Sequence, residues 1–106
     1  MNIKTNQLTG KTLDLLTTEI MYYIASAKSL GQGLIKFNVT CEEEDADRRY
    51  ATVGRILKSA KRNGLIQLYA LSCDFDKSTT EVEYLKNKFP GLFTDKTNEI
   101  FYVVKL

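Results

Sequence analysis

Histidine is absent from the 106 residues of this chain. That removes the side chain that most often works as a general base near neutral pH, and the commonest zinc ligand. Only two cysteines occur, Cys41 and Cys73, too few for a disulfide framework or a four-ligand zinc site. A single Cys41–Cys73 bridge is the most they allow; reduced, small buried residues are the expectation. No window approaches the ~20 apolar residues of a membrane helix, and residues 1–7 lack the apolar stretch of a secretory signal. The expected location is therefore cytoplasmic or nuclear, with no membrane contact and no secretion. What is present is ordinary for a folded protein: 43% hydrophobic and 26% charged residues, which argues against disorder and fibrous repeats. A chain of this size buries roughly two thirds of its unfolded surface, enough for one domain with its own core.

Charge is unevenly spread. Of the formal net +2, residues 48–73 carry +6, from Arg48, Arg49, Arg55, Lys58, Lys61 and Arg62 with no acid, so the remainder carries −4. Immediately before lies Glu42-Glu43-Glu44-Asp45.

Hydrophobic spacing sets the expected elements. Residues 1–10 are polar and read as a flexible N-terminal arm, leaving 11–106 as a single domain. Leu13, Leu16, Ile20, Tyr23 and Ala27 mark a helix over 12–28, with strand formers at 20–24 leaving that stretch open to either state. Ile35, Phe37 and Val39 alternate with polar residues in a strand over 34–40. Ala46, Tyr50, Val53, Leu57 and Ala60 form the apolar face of a helix ending at Asn63 before Gly64; whether 41–63 is one helix or a helix–turn–helix stays open. A strand over 65–71 follows, then a turn. Ser78 or Thr79 caps a short helix to 88, Pro90-Gly91 breaks it, and 99–106 is a final strand. The order α-β-α-β-α-β fits an α+β winged-helix-like domain with an elaborated wing; a ferredoxin-like α/β sandwich, with the middle helix as crossover, is the alternative.

On that middle helix, Arg48, Thr52, Arg55, Ser59 and Arg62 share one stripe at ~100° per residue, opposite the apolar stripe, with Lys58 and Lys61 flanking it. Arginine grips phosphate or guanine bidentately, and the short threonine and serine between arginines let a polyanion approach. The competing explanation needs no ligand. Acids at a helix start and bases at its end suit the helix dipole, and Glu44–Arg48 and Asp45–Arg49 have i,i+4 spacing.

The run Thr52-Val53-Gly54-Arg55-Ile56-Leu57-Lys58-Ser59-Ala60-Lys61-Arg62-Asn63-Gly64-Leu65-Ile66 resembles the recognition helix and following strand of winged-helix DNA-binding domains. The resemblance implies a regulatory DNA-binding module holding double-stranded DNA through Arg48, Thr52, Arg55, Lys58, Ser59, Lys61 and Arg62. A second set is similar to the Costars family of small actin-associated modules: Glu19-Ile20-Met21, Gly31, Lys36-Phe37, Leu57-Lys58-Ser59-Ala60-Lys61-Arg62 and Gly64-Leu65-Ile66. It spans 19–66, beyond which the family's short acidic hairpin is missing. That likeness implies a protein-interaction module meeting an acidic protein surface; a small phage or mobile-element adaptor or inhibitor belongs to the same class.

Other patterns carry less. Gly10-Lys11-Thr12 has the end of a phosphate-binding loop but no preceding strand and no first glycine, and reads as a helix entry. Asp74-Phe75-Asp76-Lys77-Ser78 has calcium-loop spacing, but Thr79 stands where glycine is required and Leu85 where the closing glutamate belongs. Neither cysteine has an imidazole to activate it. Tyr22, Tyr23, Tyr69 and Tyr102 are candidates for stacking on bases, though tyrosines more often pack inward. No catalytic residues, metal site or cofactor are expected. The leading expectation is a non-enzymatic nucleic-acid-binding module built on the basic helix 48–63.

Overall fold

A computed structural model describes residues 3–40, 43–93 and 99–106. Cys41 and Glu42, and positions 94–98 of the expected wing elaboration, lie outside the described residues.

The first helix, α1 (Leu13–Ser29), begins where the Thr12 hydroxyl accepts the Leu15 N–H at 3.2 Å, satisfying one amide the helix start leaves unpaired. Leu16, Ile20, Ile24 and Ala27 recur at steps of four and three and are its buried stripe, so residues 20–24 are helical. Burial of that stripe outweighs the local strand preference. Gly31, at φ +70°, ends the helix in the left-handed conformation that glycine adopts without Cβ strain. The middle helix, α2 (Ala46–Arg62), is one continuous rod preceded by a 3-10 turn at Glu43–Asp45 and a strand, so no helix–turn–helix forms over 43–62. It ends likewise at Gly64, φ +75°. The short helix α3 (Thr80–Lys88) is capped by Thr79, whose hydroxyl accepts the Val82 N–H.

Four strands form a mixed sheet in the order β1-β2-β4-β3: β1 (Thr5–Leu8), β2 (Leu34–Val39), β3 (Leu68–Leu71) and β4 (Tyr102–Lys105). β1 pairs parallel with β2, and β4 runs antiparallel between β2 and β3. β2 and β3 therefore point the same way, and α2 is the crossover between them. The chain is thus a small α+β domain. One correction concerns the N-terminal segment. Residues 5–8, expected in the flexible arm, form an edge strand with Asn6 and Leu8 turned inward and the Asn6 side chain donating to the Lys36 carbonyl at 3.2 Å.

The sheet is buried on both faces. α1 and α2 cover one, where Leu16, Ile20, Leu57 and Ala60 meet Ile35, Phe37, Tyr102 and Val104. α3 covers the other, where Val82 and Leu85 meet Ala70, Phe101 and Val103. β4 serves both clusters by strand alternation. No helix among the described residues is long and apolar enough to cross a membrane.

Candidate nucleic-acid interface

α2 is amphipathic, and its phase decides which basic side chains are free. Arg49 shares the buried stripe of Val53, Ile56, Leu57 and Ala60. Its guanidinium donates to the carbonyls of Leu8 (3.1 Å), Gly10 (2.6 Å) and Thr40, where β1 and β2 end and the chain leaves the sheet. The cation thus plugs a gap in the backbone pairing. The expected Asp45–Arg49 ion pair does not form, nor does Glu44–Arg48.

The outer turns of α2 carry the candidate residues, and all but the half-buried Thr52 are exposed. They divide into two sets. Arg55, Lys58, Lys61 and Arg62 line an open cleft of about 830 Å³ between α2, the free edge of β3 and the start of α3. Arg48, Thr52 and Ser59 lie outside it. Thr52 turns its hydroxyl back onto the Arg48 carbonyl at 2.9 Å, a local bond that occupies its proton.

The cleft exists because α2 is small where it faces β4. Gly54 and Ala51 line it, and a Cβ built on Gly54 would sit 2.6 Å from the Tyr102 hydroxyl oxygen. That hydroxyl donates to the Tyr50 carbonyl at 3.0 Å, while the Tyr50 hydroxyl donates to the Ile100 carbonyl at 2.6 Å. Burial pushes the Tyr102 phenol up to about 12, so it stays neutral. The Tyr69 ring stands edge-on to Tyr102, centroids 6.1 Å apart, and is half-buried on the cleft wall.

The opposite wall is mixed in charge. Glu81 takes Lys61 across the cleft at 3.5 Å, and Asp74 takes Lys77 at 2.9 Å, holding the lysine pKa above its ordinary value by hydrogen bond and charge. Arg55, Lys58 and Arg62 have no ion-pair partner among the described residues.

No family model, curated protein or solved structure matches this chain. Its chemistry rests on the residues themselves.

The remaining motifs resolve as follows. Thr9 and Gly10 do present backbone amides in a tight loop before α1, but Glu19 occupies them, accepting from the Thr9 N–H (3.0 Å) and hydroxyl and from the Gly10 N–H. The carboxylate stands where a phosphate would have to bind. Cys73, expected buried, is a free exposed thiol, because the 3-10 turn Ser72–Asp74 carries it off the edge of β3. Among the described residues no group of three or more histidine, cysteine or acidic side chains could hold a metal ion. Sequence reasoning missed Lys77, Asp74 and Glu81 as neighbours of the basic helix. They are remote in the chain and arrive only through the pairing of β3 with β4. Counting charge along the chain also groups Arg49 with the surface cations, although the spacing 49, 53, 56, 60 already places it on the apolar stripe.

Proposed function

We propose that this chain is a small non-enzymatic module that binds nucleic acid through α2. The observation that carries the reading is the set of three exposed cations, Arg55, Lys58 and Arg62, without ion-pair partners among the described residues and aligned along one open cleft. Cations with no internal partner in a concave site focus positive potential outward. On this reading α2 has the part of the recognition helix in a winged-helix module, and the antiparallel β3–β4 pair that follows it stands in the place of the wing. Arg55, Lys58, Lys61 and Arg62 hold phosphates, with Arg48, Thr52 and Ser59 at the margin of the contact. Cytoplasm and nucleus are where such a ligand is met.

Binding of labelled mixed-sequence DNA, followed by anisotropy across a salt series, tests it. Affinity falls steeply with salt, and the double variant Arg55→Ala/Arg62→Ala flattens the log–log slope by about 2, roughly one for each phosphate that no longer meets a cation. Tight binding by the folded double variant refutes the assignment.

The second reading is a protein-interaction module whose partner presents an acidic surface. Leu13, Leu15 and Tyr22, exposed on α1, favour it, since large apolar side chains in water suit a protein contact. Co-sedimentation with actin filaments without any DNA binding is its signature.

A further inference from the structure

We propose that the cleft takes a single strand, with phosphates along α2 and a base stacked on Tyr69. The inference rests on the nucleic-acid reading and names the form of the ligand.

Size comes first. A cleft of about 830 Å³ belongs to the scale of sites for small organic ligands, ~300–1,000 Å³. A few nucleotides of one strand fit that space. A duplex does not enter it, and outside the cleft α2 offers it only Arg48, Thr52 and Ser59, of which Thr52 has its proton committed to the Arg48 carbonyl.

The walls differ in charge in the way a single strand requires. The α2 side is wholly cationic in its charged residues, with Arg55, Lys58, Lys61 and Arg62. The far side is mixed, with Asp74 paired to Lys77 and Glu81 reaching across to Lys61. Arg55, Lys58 and Arg62, without ion-pair partners among the described residues, draw a phosphate chain to α2, so its bases turn toward β3. There the cleft supplies what bases use. Tyr69 gives a half-buried ring held edge-on by Tyr102, and its hydroxyl has no hydrogen-bond partner among the described residues. Among the described residues β3 is an edge strand, so one side of its backbone has no strand to pair with there. An aromatic platform beside a track of cations is the general solution for holding single strands.

The test uses the whole chain and three labelled 12-residue ligands of one mixed sequence: single-stranded RNA, single-stranded DNA and the blunt DNA duplex. Each is titrated at one salt concentration, with folding of every variant checked by circular dichroism. The expected result is at least tenfold tighter binding of one or both single strands than of the duplex; the RNA and DNA arms separate the two sources of that chemistry. Tyr69→Ala weakens the single-strand complex by roughly 5- to 150-fold, the range for loss of one stacked base, with the salt slope unchanged. Tyr69→Phe, which keeps the ring, stays near wild type. Duplex binding as tight as single-strand binding, or a folded Tyr69→Ala variant that binds like wild type, overturns this inference and leaves the nucleic-acid reading standing. Failure of all three ligands to bind overturns both.

Discussion

Arg49 offers the sharpest test of how the basic helix is seated. Arg49 is 6% exposed, and its guanidinium donates to three backbone carbonyls, those of Leu8, Gly10 and Thr40. The Leu8 carbonyl also accepts the Thr40 N–H at 3.0 Å and survives the loss of the arginine. The buried Gly10 carbonyl then has no donor among the described residues, at about 1–3 kcal/mol, whereas Thr40 is exposed and water can replace the arginine at its carbonyl. Relief of the desolvated charge returns part of that, as does the Nε atom, which has no partner even in the wild type. Arg49→Met, close in length and apolar, therefore costs about 1.5 kcal/mol against a total stability on the order of 5–15 kcal/mol. In urea the midpoint falls by about 1 M with the slope unchanged. Arg49→Lys keeps the charge but not the planar fork and falls between the two. A midpoint shift under about 0.5 M for Arg49→Met, or a rise, refutes the reasoning, because it means that the carbonyls do not depend on the arginine.

Three further outcomes are expected. Gly54→Ala gains about 1 kcal/mol in helix propensity, but its Cβ displaces the Tyr102 hydroxyl; overpacking and the broken hydrogen bond cost about 2 kcal/mol. Its melting temperature therefore drops by roughly 5 °C, and a rise contradicts the packing described. The Tyr102 phenol has a folded pKa of about 12 against the ordinary value of 10.0, so the folded state holds its proton more tightly. That contribution to stability is whole below pH 10 and is lost as pH rises from about 10 to about 12. The alkaline fall of wild-type stability is thus steeper than that of Tyr102→Phe when both are melted in urea across that range, and parallel curves refute it. Glu19→Ala frees the Thr9 and Gly10 amides at a cost of about 1–2 kcal/mol and speeds hydrogen exchange in β1, whose end that loop anchors. Unchanged exchange there contradicts the role given to Glu19.

The three helices were legible from apolar side chains at three- and four-residue steps, helped by the hydroxyl cap at Thr79 and the glycine stop at Gly64, although the sequence left 20–24 open to strand and 41–63 open to a helix–turn–helix. β1 was not. Thr5–Leu8 is polar, and its inward Asn6 is buried only because the Lys36 carbonyl of β2 accepts from it, a partner 30 residues away. β3 is shorter than the apolar run at 65–71 suggested. Leu65 is used to close the end of α2, its N–H reaching the Ala60 carbonyl at 2.9 Å. The candidate site was half legible. The helical period correctly put Arg55, Lys58, Lys61 and Arg62 on the surface, yet periodicity cannot tell which side of an exposed face borders a cleft. That depended on Gly54 letting Tyr102 approach α2 and on β4 inserting between β2 and β3.

Backbone amide chemical shifts during titration with a short oligonucleotide test the cleft as a nucleic-acid site most directly, because they report the contact surface residue by residue. Changes are expected to concentrate at 54–62 on α2 and at 69–71 on β3, with the exposed face of α1 unmoved. Changes centred on Leu15 and Tyr22 instead, or none at saturating oligonucleotide, would contradict the assignment.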